Sequence, residues 1–557
     1  MTSKPYALFE DVLEQTLAET SLNAPEMMAV AESFFAGHEL ADLICGLDLK
    51  AHFETRLGHE VSRVCLLPCS SFTPQIEPAF SAAFDEVVIA DNFKDGEVNG
   101  RRIVKPGEVC HDEVDAFLIL TRDLELQKEL ALTLPSEKVI AVQEVISHEA
   151  RRGSVLTDSD SQAVTEILDA IAASQRPVVV INGIYFNNYT PTYQALEAQG
   201  YDVFMIARHP NVSYAAPDSR FDDLPFKHRY GLSMAAIVTL TKRLDRGVIL
   251  LNNISFCLPR FDAVPIIAGM AYASAVMDMA RVPVLLYLYD MVMPFKRNRH
   301  LEGDFLKMYR AMLQRASGLI LNSNTEGAVT FFKRALGFDK PIISFLRYNV
   351  GVDELAQTRS MSDGFHLSVV GGCDDGTRNM LPYFKSMISQ GIHIHNYVNV
   401  PFSDAWYAEL PEEEKVFFHR HPSIMDQESL IKEISQFHAG WIADDTHAWA
   451  DIIAGVKEPL LKDLLILFRL TTVASSLLCL ASAGLPVFLN RTVVEIAQAY
   501  PDSFFAPLEY SETAGLGKWL SEQDWESRLE ETRKQRALFS VDNQIERLVG
   551  FVDRFLS

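Results

Sequence analysis

Hydrophobic positions follow two different periods along this chain, and the changes between them predict its elements. Over residues 5–57 apolar side chains recur at helical spacing, as at Leu8, Val12, Leu13 and Leu17, and Asn23-Ala-Pro25 reads as a cap with an early-turn proline. From Val61 the text changes to short continuous apolar runs at 61–67, 84–90, 116–120 and 139–142. Helical stretches separate them, which predicts a small parallel α/β unit. Polar residues around Glu149-Ala-Arg-Arg and Thr157-Asp-Ser-Asp then read as a linker and an entry helix.

A second α/β set starts at Pro177-Val-Val-Val-Ile-Asn182-Gly183, with further strands at 201–206, 247–252, 282–289, 318–322 and 341–345, and implies a doubly wound sheet. A third set fills 365–510. It opens with His366-Leu-Ser-Val-Val-Gly371-Gly372, continues through a His393-Ile-His395 strand, an amphipathic run at 427–437 and a short strand at 439–442, and closes where a helix turns into the strand ending at Leu489. Helices from Glu512 finish the chain. The expected division is 1–57 (helical segment), 58–150 (small α/β domain), 151–360 and 361–510 (two larger α/β domains) and 511–557 (C-terminal helices).

Composition narrows the function classes. A chain of 557 residues is too long for one core, and 48% hydrophobic with 22% charged residues is ordinary for a globular enzyme. A formal charge of -24 disfavours a phosphate backbone, so nucleic acid is not an expected partner. Seven scattered cysteines without zinc-ligand spacing read as reduced thiols of a cytoplasmic protein. The longest apolar run, 473–489, is broken by serines, Gly484 and Pro486 and falls short of the ~20 residues that span a bilayer. The start, Met1-Thr-Ser-Lys-Pro, lacks a following apolar core, so a soluble, cytoplasmic protein without a transmembrane segment is expected.

Open α/β sheets bind ligands beyond the C-terminal ends of their strands, so candidate chemistry is sought there. After the first strand of the second set come Asn182, Gly183, Tyr185, Asn187 and Tyr189, read as a polar loop able to meet sugar hydroxyls. Arg208-His209 follows the next strand and reads as a surface turn. Asp290 ends an otherwise apolar strand, which suits a base or a hydrogen-bonding residue in a cleft. Arg347 follows the last strand of the set. In the third set Gly372 opens a turn whose Arg378 can fork onto phosphate oxygens, and Arg469, Thr471, Thr472 and Ser475 gather at a helix N-terminus suited to anions. His393 and His395 share one strand face and read as interior histidines, His419-Arg-His421-Pro422 reads as a loop, and no metal site is expected. In the small unit Leu67 is followed by Pro68-Cys-Ser-Ser71, without the glycine a dinucleotide turn requires, so a structural or partner-docking role is expected.

Over about residues 177–510 this order of elements resembles the GT-B glycosyltransferases, particularly the family 4 type. The Gly371-Gly372 turn, the Asn322-Ser323 turn, the Gly337-Phe-Asp-Lys-Pro341 exit and Gly484-Leu-Pro486-Val carry the likeness. The stretch from Phe84 to Leu120 resembles a Rossmann-like domain that precedes some sugar-modifying enzymes. The resemblance implies two facing Rossmann-like domains preceded by a helical segment and a smaller Rossmann-like α/β domain. It implies transfer of a sugar from a nucleotide-sugar donor to a hydroxyl of a glycan or protein, with no cofactor. The donor would lie against Gly372, Arg378, Arg469, Thr471, Thr472 and Ser475, the acceptor against Asn182, Gly183, Asn187 and Arg347, and Asp290 would be catalytic. Aligned through Gly484-Leu-Pro486-Val, the family's lysine position is Ser476 and its ribose-binding glutamate position is Cys479, so the donor pocket is altered. The alternative is a non-catalytic GT-B-like binding or scaffold subunit of a glycosylation system. A nucleotide-sugar epimerase is a third reading. Likeness also implies a bacterial source, and residues 1–150 are the expected surface for a protein partner or a homo-oligomer.

Overall fold

A computed structural model describes residues 48–556 with interruptions, the longest at 142–157, 209–224, 253–272, 289–301, 372–380, 399–406, 443–452, 467–474 and 490–499. The protein is a mixed α/β molecule built on three sheets, each dominated by parallel pairing. Of the expected N-terminal helices, those before residue 48 lie outside the described residues; helix α1, Leu49–Leu57, is present and capped by the Asp48 side chain, which accepts from Ala51 N.

The first sheet has six strands in the order β3-β4-β2-β1-β5-β6: β1 Arg63–Leu67, β2 Glu86–Ala90, β3 Glu97–Val98, β4 Arg101–Val104, β5 Ala116–Ile119 and β6 Val139–Ala141. Its β3–β4 hairpin departs from the all-parallel expectation, because Asn99 and Gly100 both take positive φ, 48° and 80°. That is the turn chemistry that folds two short strands back on each other.

The middle sheet has seven parallel strands in the order β13-β12-β11-β10-β7-β8-β9: β7 Pro177–Asn182, β8 Asp202–Arg208, β9 His228–Leu232, β10 Val248–Asn252, β11 Val284–Leu288, β12 Gly318–Leu321 and β13 Ile342–Ser344. The apolar runs seen in the sequence become its interior strands, buried along their full length as in β10 and β11, because helices cover both faces of a parallel sheet. Strand β9 was not expected. It is an edge strand whose alternate residues face solvent, so its text, His-Arg-Tyr-Gly-Leu, carries no apolar run.

The C-terminal sheet has six parallel strands in the order β16-β15-β14-β17-β18-β19: β14 His366–Val370, β15 His393–Val398, β16 Phe418–Pro422, β17 Ala439–Trp441, β18 Val487–Leu489 and β19 Phe505–Pro507. Here the expected loop His419-Arg-His421-Pro422 is instead the edge strand β16, paired in register with β15 from Ile394↔Phe418 to Val398↔Pro422. Helix α2, Gln427–Ile434, begins with the Asp426 side chain accepting from Ser429 N. Helix α3, Ser475–Ser482, packs so closely on β17 that a Cβ on Gly440 would come within 2.7 Å of Leu480. Hence glycine at 440.

One apolar cluster joins the two larger sheets, running from Val178, Leu250 and Tyr287 through Phe345 and Phe551 to Phe437, Leu480 and Val487. The chain end seals this junction. After helix α4, Trp525–Gln535, the amphipathic helix α5, Ile545–Leu556, returns to the middle sheet and buries Ile545, Leu548, Phe551 and Val552. Its Asp553 accepts from the Tyr201 hydroxyl at 2.7 Å and pairs with Arg176.

Candidate functional site

Both larger sheets reverse their winding at one point, between β7 and β10 in the middle sheet and between β14 and β17 in the C-terminal sheet. A crevice opens at the C-terminal ends of the strands flanking such a point, because successive crossovers leave to opposite faces. In the middle sheet the two flanking strands end on Asn182 and Asn252, which are register partners. The Asn252 carboxamide is 1% exposed, and neither its nitrogen nor its oxygen has a hydrogen-bond partner among the described residues. A buried amide in that condition costs about 1–3 kcal/mol for each unmade bond, so it is kept for a reason other than stability. Two strands along, Asn322 and Ser323 follow β12 and are also buried.

Asn252 was missed by sequence reasoning, which weighed the residues after each strand and passed over this strand's own last residue. The signal was present: a carboxamide closing a Val-Ile-Leu-Leu run, as Asn182 closes Val-Val-Val-Ile.

The polar loop expected after β7 is shorter than the sequence suggested. A helix, Phe186–Ala198, already contains Asn187 in its first turn. Tyr189 belongs to that helix and not to a loop; it is fully buried and packs edge-on against Tyr287 at 5.4 Å between ring centres. Gly183, Tyr185, His209, Asp290 and Arg347 lie outside the described residues, as do Gly372, Arg378, Arg469, Thr471 and Thr472. Asn182 and Ser475 are placed only by their backbones, at the end of β7 and the start of α3.

In the C-terminal sheet, β14 ends on Val370 and the chain turns at Gly371, whose φ of 98° excludes most side chains and whose N–H donates to Tyr397 O at 2.9 Å. Helix α3 leads into β18, a parallel strand of the same sheet, so its N-terminus lies at the C-terminal edge. The backbone N–H groups there carry the positive end of the helix dipole. Inside α3, Cys479 is buried, and burial pushes its thiol up to about 12. It is an apolar wall residue, unable to accept hydrogen bonds as a carboxylate would. Cys65 and Cys69 are likewise buried free thiols, whereas Cys110 is exposed; Cys45, Cys257 and Cys373 lie outside the described residues.

In the small sheet the turn after β1 is tied back to the end of β2. Asp91, buried at the end of β2, accepts from Cys69 N at 2.9 Å and from the backbone N–H groups of Phe93 and Lys94 at 2.7 and 2.8 Å. Lys94 Nζ closes the ring by donating to Cys69 O at 2.6 Å. The turn N–H that would approach a dinucleotide phosphate already has an internal acceptor.

His393 and His395 do sit against the interior, as expected, but in unexpected company. Their rings belong to an array with His366, His419, His421 and His438. Among the described residues no group of three or more His, Cys, Asp or Glu side chains is arranged to hold a metal ion. No helix of the described residues is long and apolar enough to cross a membrane.

No protein-family model matches the chain, and no curated protein matches its sequence. Solved structures similar in arrangement include the pneumococcal O-GlcNAc transferase in complex with UDP and GlcNAc, at 10% identity and a TM-score of 0.38, covering 59% of this chain and 61% of that one. A glycosyltransferase from Rickettsia africae is 8% identical with a TM-score of 0.44, covering 69% and 99%. The α,α-trehalose 6-phosphate synthase of Burkholderia multivorans is 9% identical with a TM-score of 0.40, covering 68% and 97%. The chain thus spans about three fifths of the first of these relatives. Identities and TM-scores this low leave the function to be argued from the chain's own residues.

Proposed function

We propose that the protein is a glycosyltransferase of the GT-B type that moves a sugar from a nucleotide donor to a hydroxyl of a glycan or protein acceptor. The observation that carries this reading is the paired asparagines at the switch point of the middle sheet, where Asn252 is buried and its amide has no hydrogen-bond partner among the described residues. A neutral carboxamide that both donates and accepts is matched by a hydroxylated ligand rather than by an anion. Acceptor contacts would then come from Asn182, Gly183, Asn187, Arg347 and Asn252, with Asp290 accepting the proton of the attacking hydroxyl.

On the donor side, the N-terminus of α3 with Thr471, Thr472 and Ser475, together with Gly372, Arg378 and Arg469, would stabilise charge developing on the departing diphosphate. No metal or cofactor enters this scheme. Residues 58–150, 151–360 and 361–510 would be three domains, the last two facing each other. Residues 1–150 would dock a protein partner or a second copy, and the setting would be the bacterial cytoplasm.

One observation favours a second reading. At the position of the family's ribose-binding glutamate stands Cys479, buried and un-ionised. A chain that has lost the ribose contact suits a non-catalytic binding or scaffold subunit. A thermal-shift screen of the full chain against UDP-, GDP- and CMP-sugars separates the two. Stabilisation by one of them, weakened in Arg469→Ala or Arg378→Ala, supports the enzyme; no shift with any supports the scaffold.

A further inference from the structure

Three neighbouring strands of the C-terminal sheet place five imidazoles on one face. Register partners stack face to face: His366 on His393 at 4.3 Å between ring centres and 13° between planes, His395 on His419 at 4.3 Å and 9°, and Tyr397 on His421 at 4.4 Å and 10°. Diagonal neighbours hydrogen-bond. His366 Nδ1 meets His395 Nε2 at 2.9 Å, His395 Nδ1 meets His421 Nε2 at 3.0 Å, and His393 Nδ1 meets His419 Nε2 at 2.9 Å. Phe437 covers His395 from the interior at 4.1 Å.

Each of these bonds requires one nitrogen with a proton and one without, so the tautomer of each ring is tied to that of its partner. His438 makes the rule explicit. Its Nδ1 accepts from the backbone N–H of His366 at 2.9 Å, so it cannot carry a proton, and its Nε2 lies 2.9 Å from Arg359 O, to which it must donate. In the chain from His366 through His395 to His421, a proton added to His395 turns both its nitrogens into donors. His366 must then carry its own proton on Nε2, which is buried and has no hydrogen-bond partner among the described residues. An orphaned N–H of this kind is among the costliest buried groups.

The charged neighbours relieve an added charge only at the margins of the array, at His421 and His438. The Arg359 charge, on the segment leading into β14, acts against protonation of all six rings, although the Arg359 carbonyl favours it at His438, where the Arg533 charge of α4 also opposes it. Glu433 of α2 favours a charge on His421, but it already accepts from the Tyr397 hydroxyl at 2.9 Å; Glu526 of α4 favours one on His438.

We propose that this imidazole array is an acid-sensitive latch. Neutral, it clamps β14, β15 and β16 together through their side chains; protonated, it releases them from the β16 edge inward while the middle sheet stays closed. His419 and His421, on the edge strand and half-buried, are where protons enter first. Burial, with Arg359 and the neighbouring rings adding to it, holds His419 near 4, His366 near 3 and His395 near 2, well under the ordinary imidazole value. The opened state therefore takes up at least three protons that the closed state refuses. Stability from the array is complete above about pH 6.5 and is lost as pH falls toward these depressed values. The inference stands whether or not the chain transfers sugars.

Hydrogen exchange on the full chain, corrected for intrinsic rates and followed by mass spectrometry at pH 7.5 and 5.5, tests it. Backbone amides of β14, β15 and β16 are expected to lose protection by about a hundredfold or more relative to those of β7, β10 and β11. The double variant His395→Phe with His419→Phe keeps two stacked rings but removes two proton sites, and should recover most of that loss. Equal responses of the two sheets, or a double variant that behaves as the parent, overturn the proposal. Should the double variant fail to fold, 13C-histidine NMR of the parent decides. Array rings that stay neutral below pH 6 and then titrate together support the latch; rings that titrate singly near 6.5 with β14–β16 still protected overturn it.

Discussion

The middle and C-terminal sheets are wound in the same order about their switch points, and each turns one face toward the same apolar cluster. What they put on that face differs. The middle sheet presents Val178, Val180, Leu250 and Tyr287, whereas the matching face of the C-terminal sheet presents His366, His395 and Tyr397 beneath Phe437. Winding follows from short apolar strands alternating with helices, and both faces satisfy that requirement. The chemistry of the face is a separate variable. An aliphatic face is indifferent to pH, while a face of neutral imidazoles depends on every ring remaining uncharged.

The sharpest way to break the comparison is to remove what the two sheets share. Phe551 is 1% exposed within the joint cluster and approaches Gly318 of β12 closely. Phe551→Ala is expected to cost about 3–5 kcal/mol. Denaturant unfolding followed by site-specific probes should show both sheets weakened together, because the cluster is continuous. If only the middle sheet weakens, the junction is not one core.

Two glycines probe each sheet by itself. At Gly247, φ is +91° and a Cβ would meet the Pro177 carbonyl oxygen at 2.7 Å; at Gly440 it would meet the Leu480 side chain at 2.7 Å. Backbone cannot yield as a leucine branch can. Gly247→Ala should therefore be the more damaging, with both in the range of about 1–3 kcal/mol by thermal unfolding. A larger loss for Gly440→Ala would mean that α3 and β17 have no room to adjust.

The same contrast decides what was legible in the sequence. Interior parallel strands announce themselves, since burial on both faces demands continuous apolar text, as in Val248-Ile-Leu-Leu. Edge strands that expose alternate residues do not: β9 and β16 are of this kind, so His228–Leu232 went unassigned and Phe418–Pro422 read partly as a loop, whereas the edge strands β6 and β13 were legible as apolar runs. The array left a trace that was not joined up. Two His-x-His pairs stand 26 residues apart, one strand's separation in this sheet, and His366 opens the strand beside them. Seen singly, each pair is an ordinary interior feature; pairing between strands makes them one object. The switch points followed from the order of elements, but the burial of Asn252 depends on what packs around it. Most expected contact residues, including Asp290, Arg378 and Arg469, lie outside the described residues.

Asn252→Leu sharpens the functional side of the comparison. Replacing an unsatisfied buried amide by an apolar group of similar size should stabilise the protein by about 1–2 kcal/mol, visible as a raised melting temperature. If the cleft binds a hydroxylated acceptor, the same variant loses that binding while still recognising a nucleotide sugar. A lowered melting temperature would show that the amide has structural partners and would remove the main support for the acceptor site.

The smallest effect belongs to His228, an imidazole of the middle sheet that has an aromatic neighbour but no array. Its ring stacks on Phe204 at 4.5 Å and lies 3.4 Å from the Tyr230 hydroxyl. Burial holds its pKa below the ordinary value; nearby Lys227 adds to this and Asp202 opposes it. The unfolded chain therefore binds this proton first as pH falls, so the contribution of His228 is full above about pH 6.5 and declines below it. His228→Phe preserves the stack and should remove less than one proton from the pH dependence of unfolding, and it should leave the amides of β14–β16 opening as before. Substitution within the array should remove close to two protons for the two rings replaced. Were His228→Phe to flatten the pH profile as strongly as the array variant, acid sensitivity would belong to buried imidazoles in general and not to their coupling across three strands.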